Sequence, residues 1–335
     1  MTKKILFITN YRSEVGGISG QVDILMNNLD KALFQCTILN TKLGIIKRFL
    51  LFFRSTKSFK NADFIHIHCC SNFGGFFPAI FGITLGKFFR KKIILTYHGG
   101  DADNFISKNK NIVLFFLKKV DKIVILSNFL EKIFLKFNLE STVIPNIKEI
   151  SVGESKNKTR INPHFISTRA LEKLYNIDVI LKAFAEVQTI YPNATLTILG
   201  SGTEKENLIN FCDQKGLLNV NFVGKVPNFE VNNYLIKNDI LLSAPKIDNF
   251  PISLLEAFEN ELLVISSNVG GVPNLIDNYE NGLLFENENV KDLVNMIIFA
   301  LENQSESLKM IKIARIGLEK YSWKGNSELF IKLYK

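Results

Sequence analysis

The sequence predicts an α/β protein built from two doubly wound, parallel-sheet domains in tandem, facing each other across a cleft. Three observations carry that expectation. The chain has 335 residues, enough for two domains that each bury a core. Short apolar runs alternate with amphipathic stretches, the pattern of parallel strands covered on both faces. The alternation stops once, in the polar stretch 149–163 (EISVGESKNKTRINP), and then restarts, which marks an interdomain linker.

In the first half, residues 4–10, 35–40, 63–68, 92–98, 122–127 and 142–146 read as strands, each a compact apolar run rich in Ile, Val, Phe or Leu. Residues 21–33 and 112–120 between them carry helical spacing. After the linker, strands are expected at 164–168, 195–200, 220–224, 240–245, 263–268 and 282–285. Helices are expected at 178–190, 251–260 and 290–302. The boundaries are then 1–157 for the first domain and 158–318 for the second. Ligands of such sheets bind at the carboxyl ends of the strands, so the residues just after each strand are the ones that matter.

Composition closes off other classes. With 47% hydrophobic and 22% charged residues the chain is neither disordered nor collagen-like. Cys36, Cys69, Cys70 and Cys212 show no metal-ligand spacing and read as reduced thiols of a cytoplasmic protein. The start, MTKKILFITN, is too short and strand-like for the apolar core of a signal peptide. The longest apolar run, 73–86, contains Pro78 and several glycines and falls short of the ~20 residues a membrane span needs. Net charge is +9, divided as +12 over residues 1–157 and −3 over 158–335. Either the first half meets an anionic surface or its composition drifts toward lysine.

Five constellations lie at strand ends. The loop NYRSEVGGISGQ carries Gly16, Gly17 and Gly20 ahead of a helix, suited to a phosphate at the helix N-terminus or to a simple turn. Its spacing is not the dinucleotide fingerprint. His98, followed by Gly99 and Gly100, can bond a ligand hydroxyl or play a structural part. His66 and His68 share one strand face, which favours a core or strand-tip role over metal binding. Arg169 and Lys173 follow the first strand of the second half and suit a diphosphate, or form a solvated loop with Glu172. Asp248 follows the strand 240–245, and Glu256 lies eight residues on, in a helix whose first amides at Ile252, Ser253 and Leu254 are expected to be free for an anion. Carboxylates for hydroxyls and cations with amides for phosphates fit a sugar joined to a nucleoside diphosphate.

The acid-x7-acid segment from Asp248 to Glu256 and the Gly-Gly-Val-Pro turn at 270–273 resemble the family-4 retaining glycosyltransferases of the GT-B fold. So do Arg169 and Lys173, the Ile-Pro-Asn at 144–146, the His-Gly-Gly-Asp at 98–101 and the closing Tyr-Ser-Trp at 321–323. The resemblance covers nearly the whole chain. It implies two Rossmann-like domains, with a terminal segment 319–335 crossing back to the first. It also implies that Glu256 holds the donor ribose, Asp248 the sugar hydroxyls, and Arg169 and Lys173 the diphosphate with amides at Gly17 and 252–254. His98 contacts the donor sugar, and Gly224, Lys225 and Val226 line the base pocket. Gly16 and the loop residues Asn249, Phe250 and Pro251 complete the implied donor site. The chain departs from the family's pattern in having Asp248 where Glu is usual, Pro251 where Gly is common, Asn274 where an acid often follows, and a narrower Arg169–Lys173 spacing.

The implied donor is a UDP- or GDP-sugar, with no cofactor. The lack of an Asp-x-Asp motif after a strand implies no divalent metal. The implied acceptor is a saccharide, often a lipid-linked one of a bacterial surface polysaccharide. The basic, Phe-rich stretches 44–60, 86–92 and 114–119 are expected either to touch an anionic membrane at the inner leaflet or to bury their phenylalanines. Alternatives are a sugar-nucleotide 2-epimerase of the same fold and a non-catalytic nucleotide-sugar or membrane-binding protein. Nucleic-acid binding finds no motif.

Overall fold

The computed structural model describes residues 2–11, 17–43, 45–150 and 158–335, except the side chains of Ile45, Ile46, Arg48, Phe49 and Phe52. Gly16 and residues 151–157 of the expected linker lie outside the described residues. The chain divides into two compact units, Met1–Glu149 with Lys320–Lys335, and Ile150–Glu319.

Unit 1 runs β1 (Lys3–Thr9), α1 (Ile18–Asn28), β2 (Phe34–Asn40), α2 (Ile45–Arg54), α3 (Thr56–Asn61), β3 (Phe64–Cys69), α4 (Phe73–Phe88) and β4 (Lys92–Tyr97). It continues through α5 (Ala102–Lys108), α6 (Lys110–Leu117), β5 (Lys122–Ile125), α7 (Asn128–Lys136) and β6 (Thr142–Val143). Unit 2 runs β7 (His164–Ser167), α8 (Ile177–Ile190), β8 (Thr195–Leu199), α9 (Lys205–Lys215), β9 (Val220–Gly224), α10 (Asn228–Leu235) and β10 (Ile240–Ser243). It closes with α11 (Ile252–Glu259), β11 (Leu263–Ser267), β12 (Leu283–Phe285), α12 (Val290–Glu302) and α13 (Gln304–Ile316), and α14 (Trp323–Leu333) then rejoins unit 1.

Both sheets are six-stranded and parallel throughout, in the orders β2-β1-β3-β4-β5-β6 and β12-β11-β10-β7-β8-β9. Each order reverses once, between β1 and β3 in unit 1 and between β7 and β10 in unit 2. Such reversals open a crevice at the carboxyl ends of the strands. The strands earn their burial by composition: β1 is KKILFIT, and its last five residues are buried. Helices cover both faces of the first sheet. Phe59, Phe76, Phe81, Ile106 and Leu117 pack on one, and Val22, Leu25, Phe330 and Tyr334 on the other. The terminal helix α14 is tied to unit 1 by Lys122 Nζ, which donates to the carbonyls of Lys332 and Leu333, and by Lys3 Nζ, which donates to that of Tyr334 at 2.7 Å.

Two elements stop short of the sequence expectation for identifiable physical reasons. Helix α1 stops at Asn28, because Asp30 turns the chain: its side chain accepts the Ala32 amide and its carbonyl the Phe34 amide. Strand β6 is two residues long, since Pro145 has no N–H to continue the ladder beyond Ile144. The apolar run at 73–86 forms α4 despite Pro78, and the Gly74 carbonyl four residues before that proline accepts the Asn10 side chain at 2.8 Å. Among the described residues no helix is long and apolar enough to cross a membrane.

Candidate active site

In unit 2 the sheet order brings the ends of β7 and β10 side by side, and with them the two groups that sequence reading named separately. Arg169 Nη2 donates to Asp248 Oδ2 at 2.7 Å, with 13% and 17% of the two side chains exposed. The guanidinium carbon sits 5.2 Å from the Tyr175 ring centroid, a cation–π contact that fixes its plane. Backbones hold both residues in place. Gly271 donates its amide to the Asp248 carbonyl at 2.8 Å. Gly270 has φ +55°, and a Cβ there would come within 2.0 Å of that same carbonyl oxygen. A Cβ at Gly200, φ +146°, would meet the Arg169 carbonyl at 2.1 Å. The Gly-Gly-Val-Pro turn and the glycine after β8 therefore pack directly on the backbones of the two charged residues.

Around this pair lie buried polar atoms without hydrogen-bond partners among the described residues: the hydroxyls of Ser167, Thr168, Ser243, Ser253 and Ser266, and Arg169 Nε. They belong to the ends of β7, β10 and β11 and the first turn of α11. A buried polar group left unpaired costs about 1–3 kcal/mol. Such a concentration at the sheet's switch point suits a ligand rich in hydroxyl and phosphate oxygens.

Glu256 is half-buried on α11. Asn249, Phe250 and Pro251 are buried, and Pro251 occupies the N-cap position of the helix. One sequence expectation is corrected here: the Leu254 amide is not free, because it donates to the Pro251 carbonyl at 3.1 Å, closing a tight first turn. Lys173 is exposed, on a 3-10 turn. Glu172 turns to Thr203, accepting its amide at 3.1 Å and its hydroxyl at 2.7 Å, and these bonds lower the carboxyl pKa. Gly224, φ +86°, ends β9 with its carbonyl taking the Gly200 amide; beyond it Lys225 is exposed and Val226 half-buried.

In unit 1, Gly17 opens α1 at φ +72°. Gln21, four residues on, bonds both the carbonyl and the amide of Ile147, which pins the start of α1 to the segment after β6. His98 follows β4, half-buried, and its Nε2 meets His68 Nδ1 at 2.9 Å. A Cβ at Gly99 would lie 2.0 Å from Ser71 Oγ, so the loops after β3 and β4 touch at this glycine. Burial lowers the His66 and His98 pKa values to about 3 and that of His68 well below its ordinary value, with the neighbouring imidazoles adding to the effect at His66 and His68. Sequence reading missed that His68 meets His98. The signal was there, since a His-x-His at the end of one strand faces whatever follows the adjacent parallel strand. Among the described residues no group of three or more His, Cys, Asp or Glu side chains could hold a metal ion.

Fold and strand-end chemistry together define a doubly wound α/β protein of the glycosyltransferase type. Residues 151–316, about half of the chain, match the family described as glycosyl transferases group 1. The chain is 27% identical over 220 residues to an uncharacterized glycosyltransferase of Haemophilus influenzae, covering 61% of this chain and 60% of that protein, so the chain spans about three fifths of that curated relative's length. Its fold matches the Anabaena protein Alr3699/HepE, solved in complex with UDP and glucose, with TM-score 0.80 and 15% identity over 99% of this chain and 100% of that one. It also matches sucrose-phosphate synthase from Thermosynechococcus elongatus, with TM-score 0.82 and 16% identity over 99% and 98% of the two chains. At these identities the likeness establishes the GT-B fold.

Proposed function

We propose that the chain is a retaining glycosyltransferase that moves a sugar from a nucleoside-diphosphate donor to a saccharide or lipid-linked saccharide acceptor, as in the assembly of a bacterial surface polysaccharide. The observation that carries this reading is the Arg169–Asp248 pair among unpartnered buried hydroxyls at the switch point of unit 2. Arg169 and Lys173 neutralise the diphosphate, with help from the amides of Gly17, Ile252 and Ser253. Asp248 takes sugar hydroxyls, Glu256 the ribose, Gly224, Lys225 and Val226 the base, and His98 the sugar near the reacting carbon. The donor base is uracil or guanine, and the Anabaena protein's complex with UDP favours uracil.

In the reaction the acceptor hydroxyl oxygen bonds the anomeric carbon on the face from which the diphosphate leaves. The carbon–phosphate-oxygen bond breaks, and the departing phosphate oxygen takes the hydroxyl proton. Charge grows on the diphosphate as the bond breaks, so cations already in place lower the barrier without reorganising. No divalent metal takes part. The test is thermal unfolding with UDP, GDP, ADP, dTDP and CMP, each with and without EDTA, on wild type and Glu256→Ala. Ligand at 100 times its dissociation constant adds about 2.7 kcal/mol. One diphosphate is expected to stabilise the wild type regardless of EDTA, with the effect lost in the mutant. Stabilisation by none of them sinks the reading.

A membrane-borne acceptor is favoured by a second observation. Phe53 on α2, Phe88 on α4, and Ile112 and Phe115 on α6 are 50–76% exposed, and all three helices pack on one face of the unit 1 sheet. Exposed Lys47, Arg54, Lys87, Arg90, Lys118 and Lys119 accompany them, and Lys119 Nζ lies 3.6 Å from the Phe115 ring centroid. Each cation near an anionic bilayer contributes about 1 kcal/mol. The residues at Phe49 and Phe52 lie outside the described side chains. Co-sedimentation with vesicles is expected to rise with phosphatidylglycerol content and to fall in Phe88→Ser/Phe115→Ser; indifference to both would exclude the membrane contact.

A further inference from the structure

At the β2 edge of the unit 1 sheet a cleft of about 300 Å³ opens between the strands and α3. Lys4, Gln35, Thr37, Lys57, Ser58 and Asn61 line it, besides apolar residues. Its origin lies in the sequence of β2. On the other strands Leu6, Ile65, Leu95 and Ile123 face the covering helices and are buried. In register with Lys4 and Leu6, β2 sets Gln35 and Thr37 on that same face, both exposed. Helix α3 has only six residues, and it brings Lys57, Ser58 and Asn61 to this edge where a parallel sheet ordinarily has apolar cover.

No carboxylate lines the cleft. Asp63, nearby along the chain, has its carboxylate on the Lys4 backbone amide at 2.7 Å. Among the described residues the side chains of Lys4, Gln35, Lys57, Ser58 and Asn61 form no hydrogen bond or ion pair, and the Thr37 hydroxyl has only the Ile5 carbonyl at 3.5 Å. Two ammonium groups, two carboxamides and two hydroxyls thus share one cleft with their donors uncommitted, a set that suits a tetrahedral oxyanion. The volume equals about ten waters at about 30 Å³ each, room for an ester and part of its alcohol rather than for a bare ion.

Position separates this cleft from the chemistry. Lys4 and Gln35 stand near the amino ends of β1 and β2, whereas the crevices of such sheets lie at the carboxyl ends. A ligand here anchors the protein and takes no part in transfer. The exposed Phe88 and Phe115 belong to the same end, since they close α4 and α6 just ahead of β4 and β5. The turn after α4 is joined to α3 directly: Phe89 stacks on Phe59 with 6.3 Å between ring centroids, and Lys91 Nζ donates to the Lys60 carbonyl at 2.8 Å.

We propose that this cleft binds the phosphate ester of an anionic lipid headgroup, so that unit 1 is anchored by a site as well as by diffuse charge. The lipid source rests on the membrane reading above; the phosphate chemistry does not. The full chain is compared with Lys4→Gln/Lys57→Gln and with Lys215→Gln/Lys309→Gln, an equal loss of charge from exposed positions on helices of unit 2. Unfolding midpoints report that both variants keep the fold. One readout is co-sedimentation with vesicles of phosphatidylcholine and phosphatidylglycerol. The other is the backbone amide NMR signals of Thr37 and Asn61 on titration with glycerol phosphate, with glycerol as the blank. Vesicle binding should fall about 30-fold in the cleft variant, as two cations near an anionic surface imply, and less than about threefold in the unit 2 variant. Glycerol phosphate should shift both amides saturably in the wild type and leave them unmoved in the cleft variant. Saturable shifts with equal vesicle binding in the two variants overturn the lipid and assign the cleft to a soluble phosphate ester. A wild type that responds to glycerol phosphate but sediments with no vesicle removes the membrane reading and upholds the phosphate site. Vesicle binding lost in the cleft variant without any response to glycerol phosphate overturns the site, because the two lysines then act only as diffuse charge. Absence of both effects overturns the proposal entirely.

Discussion

Arg169 and Asp248 have each been taken largely out of water, and they answer each other's charge. Breaking such a pair by removing one partner leaves the other uncompensated, at a cost of about 3–5 kcal/mol. The same carboxylate, 2.7 Å away, offsets part of the charge that the guanidinium presents to a diphosphate. Asp248→Asn is therefore expected to lower the unfolding midpoint of the free protein while tightening nucleoside-diphosphate binding by about tenfold, the released cation being the stronger anion site. Calorimetric titration with UDP or GDP checks this, and weaker binding in the variant would show that Asp248 supports the nucleotide directly. Arg169→Ala should cut turnover by at least about 100-fold. A variant that turns over at the wild-type rate would exclude Arg169 from the reaction. Both residues were legible in the sequence, because each follows a strand and carries the charge its ligand would need. Their contact was not. It depends on β7 lying beside β10, a pairing of segments some 75 residues apart that no local pattern encodes.

Secondary elements were legible where composition and period agree, as in β9 and α12, whose limits match the expected ones. They were less so where one residue overrode the pattern. Asp30 ended α1 early, and Pro145 cut β6 to two residues. Helix α4 shows the opposite case, an apolar run containing Pro78 and glycines that folds as one helix because its weak places are covered from outside. Asn72 caps its first turn, accepting the Gly75 amide at 2.6 Å, and Asn10 takes the carbonyl that Pro78 leaves unused. Gly82 and Gly86 let α4 approach Ile67, Ile8 and Ile93 at distances no Cβ permits. Asn72→Ala is expected to cost about 1 kcal/mol. Gly82→Ala should cost more, about 1–3 kcal/mol, because the added methyl meets packed isoleucines rather than solvent. Urea unfolding of the two variants orders these costs, and an equal loss in both would mean that the helix can shift to make room.

At the scale of the whole molecule the two halves differ in charge, and they also differ in what acid does to them. Two of the four histidines are buried in unit 1 and a third, His98, is half-buried there, whereas His164 of unit 2 is partly exposed beside Asp239. Their folded pKa values lie below the unfolded value near 6.5, about 3 for His66 and His98 and lower than usual for His68. Between pH 6.5 and about 3 the unfolded chain binds protons that the native unit refuses, so stability is complete above pH 6.5 and is lost progressively as the pH falls toward 3. Each such group contributes a slope of up to about 1.4 kcal/mol per pH unit, so His66 and His98 together remove about 4 kcal/mol by pH 5, a large share of an ordinary domain's 5–15 kcal/mol. The raised groups Tyr97, Tyr334 and Cys69 titrate above this window and leave the sign unchanged. Urea unfolding at pH 7.5, 6.5, 5.5 and 5.0, followed by a fluorescence probe on Trp323 of α14, is expected to show no loss down to pH 6.5 and a steep one below it. His66→Asn, which removes one titrating ring, should flatten that slope by about 1.4 kcal/mol per unit. Equal stability at pH 7.5 and 5.0 would mean that the imidazoles accept protons in the folded state.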